Sequence, residues 1–429
     1  MWLDGFTIKN LELIYAHNGT SLFDILNHCS THMGSRLLQR WIVLPLIDKE
    51  QIDWRLDIVE SFLQNADLRQ QMSDSLNSIG DLERLVSKIA MMRVQPNELY
   101  ALINILKEIS SIKNNFSSSQ SPCLQKLSQD LIICNDLVEL LTKYISPSAP
   151  NNISKGGAIA FGVDEELDYY RRISTDAKEL INNILKREIE ATGISSLKIS
   201  YNNVFGYYLE VTNTHKDKVP ESWIRKQTLT NAERYITEEL KDLETKILNA
   251  ADFITRKEST IYSNLLEQLK KWIEPLQKNA NILSQVDCLV SFAIVAKHNK
   301  YTKPQITQDY ILNITEGRHP VIEKTLPIGT QYISNDVYLD KDNSQIAIIT
   351  GPNMSGKSAY LRQTALIVLM AQIGCYVPAL NAQIGIIDKI FTRVGASDNL
   401  SAGESTFMVE MNETACILNN LSSRSLVLL

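Results

Sequence analysis

Residues 345–358 leave the chain few folds to choose from. An apolar, β-branched run, QIAIIT at 345–350, breaks into Gly351-Pro352-Asn353-Met354-Ser355-Gly356-Lys357-Ser358, and an apolar helical pattern then continues to Gly374. A strand, a G-x-x-x-x-G-K-S loop and a helix, in that order, form the context in which a glycine-rich match reads as a phosphate site. Gly351 and Gly356 let the backbone turn tightly and bring its N–H groups against phosphate oxygens, and the helix N-terminus adds a partial positive charge. Lys357 is placed to pair with β/γ-phosphate oxygens, and the Ser358 hydroxyl to ligate Mg²⁺. The chain is therefore expected to bind a nucleoside triphosphate.

The rest of the chain must be organised around that site. With 429 residues it can hold two to four domains, and a formal net charge of −6 argues against a general nucleic-acid coat while leaving room for one local basic patch. Six cysteines, none in a C-x-x-C pair, read as reduced thiols of a cytosolic protein. The longest apolar stretch, 365–371, is too short to span a bilayer.

From Leu3 to about Leu141 apolar residues recur at three- and four-residue spacing, so a helical domain is expected, with Asp81 capping one helix. Ser-rich residues 114–122 and Pro/Asn/Gly-containing residues 146–157 read as loops. Leu167, Ile173, Leu180, Ile184 and Ile189 then mark one unbroken helix over 165–193, roughly 45 Å long at about 1.5 Å per residue. Leu240, Leu243, Ile247, Ile254, Ile261 and Leu265 mark a second of similar length. Between them, alternating residues around Asn202-Asn203 predict a β-hairpin. Two long helices bracketing a β unit build an arm with a knob at its tip, placed away from the phosphate loop. The tip carries Arg225, Lys226 and Arg234 among Gln227, Thr228 and Asn231, a set suited to a phosphate backbone as well as to plain solvent. A helix at 282–296 follows, and β and α/β texture begins near residue 300. His319, alone before a proline, reads as a structural hydrogen-bonder. Residues 425–429 read as the start of a buried strand.

The motifs together are more specific than any one of them. Thr350-Gly-Pro-Asn-Met-Ser-Gly-Lys-Ser358, Gly317-Arg-His-Pro320, Phe391-Thr-Arg-Val-Gly-Ala396, Ser405-Thr-Phe-Met-Val-Glu-Met411 and Gly206-Tyr-Tyr-Leu-Glu-Val211 resemble the DNA mismatch-repair MutS family. Thr31-x-Met-Gly-x-Arg36 with Trp41 and Pro45-Leu46 is similar to the start of that family's core helical domain. The resemblance implies a multidomain α and α/β chain. Residues 1–164 would form the helical core or lever, 165–195 the outgoing arm helix and 196–236 a β-rich DNA clamp. Residues 237–299 would be the return helix and the end of the core, and 300–429 the front part of an ABC-type P-loop ATPase domain.

The same resemblance implies function. It suggests a homodimer around mismatched double-stranded DNA, in the bacterial cytosol, that ATP exchange converts into a sliding clamp recruiting downstream repair factors. Carried over by residue, Ser355, Gly356, Lys357 and Ser358 hold phosphates and Mg²⁺, Asn353 lies near the γ-phosphate, and Tyr332 takes the place of an aromatic that stacks on adenine. Ser405 resembles the signature serine that reaches the partner's γ-phosphate. Arg225, Lys226 and Asn231 fall where the family touches the DNA backbone, while Thr230 stands where some relatives carry a base. The family's mismatch-reading and connector domains, its acidic Mg²⁺/water-activating strand end and its helical dimerisation tail have no counterpart here. The expectation is therefore a piece of a longer product, with the catalytic base beyond Leu429. Alternatives are a homologue that clamps recombination intermediates without reading mismatches, or a chromosome-bridging ATPase, whose arms need far longer heptad runs than these.

Overall fold

The computed structural model describes residues 1–16, 19–202, 206–327, 329–352, 355–393 and 406–429, without the side chains at 173, 175, 177–178, 246, 248 and 406–410. It is a mixed helical and α/β structure that divides into two compact units. One comprises Met1–Val86, Ile105–Ile133 and Glu274–Leu429, the other Ser87–Asn104 and Cys134–Ile273.

The second unit is dominated by two long helices. The outgoing helix, Glu165–Thr192, opens on Asp164, whose side chain accepts from Leu167 N, and carries Glu165, Glu166 and Asp168 in its first turn, where acidic groups oppose the helix dipole. It ends at Gly193 in the left-handed region, φ 64°, a conformation that glycine adopts without a Cβ penalty. The return helix, Glu238–Leu269, opens on Thr237, which accepts from Leu240 N. The two lengths, 28 and 32 residues, correspond to about 42 and 48 Å.

Between them lies a four-stranded antiparallel sheet in the order Lys198–Asn202, Gly206–Thr212, Ala232–Ile236, Ile224–Thr228. The predicted hairpin is its first pair, with Asn202 opposite Gly206. Leu209, Val211 and Tyr235 on one face of the sheet, with Trp223 just ahead of the edge strand, pack with Ile184, Leu240 and Leu243 at the helix ends. Farther from the sheet, Glu258 of the return helix is fully buried. Its carboxylate accepts from Gly157 N at 2.9 Å, Ala158 N at 3.0 Å and Arg171 Nη2 at 2.8 Å, so a loop and both helices meet on one anion.

In the first unit the helix His32–Val43 is capped by Thr31, whose hydroxyl accepts from Gly34 N. Asp287, on the helix Ile273–Asn299, accepts from Ser30 N, Thr31 N and the Thr31 hydroxyl. Burial raises the pKa of that carboxyl above the usual range. The close approach depends on Gly34, since a Cβ there would lie 2.2 Å from Asp287 Oδ2. Among the described residues one helical stretch, Glu238–Asn299, is long and apolar enough by length and composition to cross a bilayer, and 78% of its apolar window is buried in the protein. Reading for uninterrupted apolar runs passes over it, because polar residues punctuate the sequence.

Two sheets complete this unit. Trp2–Leu3, Lys389–Thr392 and Ser425–Leu428 pair in parallel in that order, with Ile390 opposite Leu426. The second sheet runs Gln305–Thr307, Asn381–Gly385, Ile311–Gly317, Asn335–Asp340. Leu426 and Leu428 are buried, as a strand at 425–429 requires.

Three sequence expectations need correction. The helical stretch does not start at Leu3, which pairs with Ile390 in the two-residue strand Trp2–Leu3. A two-residue strand is too short to leave a periodic signal. The stretch 114–122 is not all loop, because the helix Pro96–Ser117 continues through its first residues. The fully buried Phe116 ring, 6.5 Å from that of Phe62, outweighs the weak helix propensity of Asn and Ser there. Finally, 345–350 forms no strand, and Ile346 and Ile348 are 83% and 87% exposed. β-branched residues favour a strand only when a neighbouring strand and a packed face reward it, and no described residue pairs with this run.

Candidate nucleotide loop and nucleic-acid interface

The loop after residue 350 leads into the helix Lys357–Gln372. Its N-cap is Gly356 at φ 90°, ψ 10°, and no side chain caps it. A glycine cap in the left-handed region turns the chain sharply and leaves the first-turn N–H groups to a ligand. Lys357 folds back over the loop, its Nζ donating to Gly351 O at 2.5 Å. Gly351 is in close quarters, since a Cβ there would lie 3.1 Å from Ser355 Oγ. Ser355, Gly356 and Ser358 are exposed, as are Gly351 and Pro352. Asn353, Met354 and Ser405 lie outside the described residues, and a helix, Thr406–Asn420, starts at the residue after Ser405. A cluster of backbone donors, one ammonium and one hydroxyl suits a polyphosphate with its cation. Among the described residues no group of His, Cys, Asp and Glu is arranged to hold a metal by itself.

Tyr332 is anchored to the same helix. Its hydroxyl donates to Gln363 Oε1 at 2.9 Å, and burial of the ring raises its phenol pKa. Gln363 is fully buried, and among the described residues its Nε2 has no hydrogen-bond partner. Gly317 passes so close that a Cβ would lie 2.7 Å from that nitrogen. His319 stands just ahead of the short helix Ile322–Thr325, its Nδ1 accepting from Val321 N at 3.3 Å and Ile322 N at 3.2 Å. Burial, aided by nearby Arg362, lowers its pKa to about 4, so the ring is neutral at pH 7 and serves as a structural acceptor. Sequence alone does not single out Gln363. Its signal is a polar residue on the buried face of an otherwise apolar helix.

At the tip of the long helices, Ile224–Thr228 is an edge strand interrupted at Lys226, where the register shifts between Arg225 and Gln227. A bulge re-aims a side chain and interrupts pairing. Arg225 and Lys226 are exposed, and Asn231 is exposed in the turn closed by Leu229 N to Ala232 O at 2.8 Å. Arg234 does not join them. Its guanidinium bonds Glu210 and Gln227 and lies 4.4 Å over the Tyr208 ring. The sheet itself consumes this base, so the three-base reading of the tip reduces to two.

Comparison with known proteins finds two family models along the chain. The family model described as MutS domain III matches residues 6–293, and MutS domain V matches residues 347–429. The chain is 54% identical over 431 aligned positions to the DNA mismatch repair protein MutS of Flavobacterium psychrophilum, covering 100% of this chain and 50% of that protein. Identity to the proteins of the same name from Phocaeicola vulgatus and Bacteroides fragilis is 53% and 54%, covering 99% of this chain and 49% and 50% of theirs. The chain thus spans about half the length of the curated relatives it matches.

Proposed function

Because the chain belongs to the MutS family, we propose that it supplies the lever, DNA clamp and ATP-binding loop of a DNA mismatch-repair ATPase. The observation that carries this reading is the head of the helix Lys357–Gln372, where a left-handed glycine, an uncapped helix N-terminus and a folded-back lysine converge. Within it, Gly351, Pro352, Asn353, Met354, Ser355 and Gly356 wrap the phosphates of ATP, Lys357 neutralises them, and Ser358 ligates Mg²⁺. Tyr332 packs on the base, and Ser405 completes the site of a second chain in a homodimer. Bound Mg²⁺ supplies charge neutralisation along the triphosphate.

Residues 1–164 and 237–299 form the lever, 165–195 its outgoing helix, 196–236 the clamp and 300–429 part of the ABC-type ATPase domain. Arg225, Lys226 and Asn231 meet the backbone of mismatched duplex DNA. ATP exchange then turns the mismatch-bound dimer into a sliding clamp that recruits downstream repair factors in the bacterial cytosol. The mismatch-repair names of the relatives support the pathway, and the exposed cations on a bulged edge strand support the DNA contact.

Nucleotide binding tests the reading directly. A fluorescent ATP analogue with Mg²⁺ should bind the purified chain saturably, and Lys357→Ala should abolish binding. Equal binding by both proteins, or none by either, would overturn the assignment of this loop.

A further inference from the structure

The tip holds a third cation that the sequence does not single out. Residues Asn213–Lys218 form a short helical turn beside the sheet. Asn213 ties that turn to the hairpin carrying Asn231: its backbone N donates to Asn231 O at 3.2 Å and its Nδ2 to Thr230 O at 2.9 Å. Lys216 on this turn approaches Glu233, with Nζ 3.0 Å from Oε1. Arg225 approaches the same oxygen at 3.6 Å through Nη1. The other carboxylate oxygen accepts from the Tyr235 hydroxyl.

Two cations thus share one anion, and the trio keeps a net charge of +1. The carboxylate is buried beneath them, while the Lys216 and Arg225 side chains are 40% and 62% exposed. An ammonium has three donors and a guanidinium five, so each retains donors that can face outward. A solvated lysine loses rotamer freedom when a ligand fixes it. One already leaning on a buried carboxylate has surrendered part of that freedom in folding, which is the general advantage of preorganisation.

We propose that Lys216 is a DNA-phosphate contact, presented on one surface with Arg225 by the Glu233 carboxylate. The inference rests on the reading of this tip as a DNA clamp and adds a residue and a positioning group to it. Glu233 touches no DNA in this arrangement. It sets where the two cations stand.

The test is binding of the full chain to a fluorescently labelled duplex, followed by anisotropy over a series of NaCl concentrations. Each phosphate contact contributes about 0.9 to the slope of log K against log[salt]. Lys216→Ala should reduce the slope by about that amount, equivalent to about eightfold weaker binding at 0.1 M salt. Arg225→Ala should act alike. Lys107→Ala, an exposed lysine outside this unit with the same charge change, should leave the slope unchanged. If Arg225→Ala flattens the slope and Lys216→Ala matches Lys107→Ala, the role of Lys216 is refuted and the clamp reading stands. If neither tip variant changes the slope, the clamp reading fails and takes this inference with it.

Discussion

Replacing Glu258 by glutamine changes one atom and should weaken the unit that carries the long helices. Both carboxylate oxygens are committed, Oε1 to Gly157 N and Arg171 Nη2, and Oε2 to Ala158 N. A glutamine can place its oxygen at only one of these positions. With the oxygen kept toward Gly157 and Arg171, the amide nitrogen faces the Ala158 N–H, donor against donor, and a buried amide is orphaned at a cost of about 1–3 kcal/mol. The bond from Arg171 also loses its ionic partner, worth about 1 kcal/mol more as a charge-assisted bond becomes an ordinary one. Arg171 keeps Asp168 at 3.2 Å and Ile159 O at 2.8 Å, which limits the damage. The expected loss is therefore about 2–4 kcal/mol. It is read from urea unfolding, with hydrogen exchange at Gly157 and Ala158 reporting the site itself. Stability within about 0.5 kcal/mol of the parent, with protection of both amides unchanged, would refute the view that this anion holds the loop and the two helices together.

Two further outcomes test other parts of the fold. Gly374→Ala should destabilise the chain by about 3 kcal/mol, combining left-handed strain with overpacking. Gly374 sits at φ 84° and an added Cβ would lie 2.4 Å from Arg55 Cβ, while Arg55 is held by Ile373 O at 2.9 Å and by the Trp41 ring; an unchanged melting temperature would contradict this. His319 has a folded pKa lowered to about 4, against an unfolded value of about 6.5. Between these values the unfolded state binds the extra proton, so stability should fall as pH drops from about 6.5 to 4, by at most about 3 kcal/mol. His319→Asn, which keeps an acceptor for the helix N-terminus, should flatten the urea midpoint over that range. An equally steep dependence in the variant would assign the effect elsewhere.

The elements legible in the sequence are those whose own period determines them. The stripe through Leu167, Ile184 and Ile189 requires a long helix whatever surrounds it, and Gly193 marks its end. The alternation around Asn202 requires a hairpin, and the loop before Ser358 announces its helix. What escaped is what depends on a distant partner. Glu258 and Glu233 look like solvent-facing acids in polar stretches, and only the arrival of Gly157, Arg171 or Lys216 makes them internal anchors. The same holds for the candidate site: Gly356 and Lys357 can be proposed from sequence because the chemistry expected of them is local. The link from Tyr332 to Gln363 joins residues 31 positions apart and has no local signature. The run at 345–350 failed in the opposite sense, with a local preference for a strand and no described neighbour to satisfy it.

That unsatisfied run has a colloidal side. Residues 345–350 are six consecutive uncharged positions without proline or glycine, three of them isoleucine, and two of those isoleucines stand almost fully in water. Short segments of this kind, left unpaired, template strand addition between molecules. The charges at Lys341 and Asp342 ahead of it and Pro352 behind it act as gatekeepers against the run extending. In a concentrated solution of this chain, self-association should therefore begin beside the phosphate loop, and light scattering should fall when Ile348 is replaced by lysine.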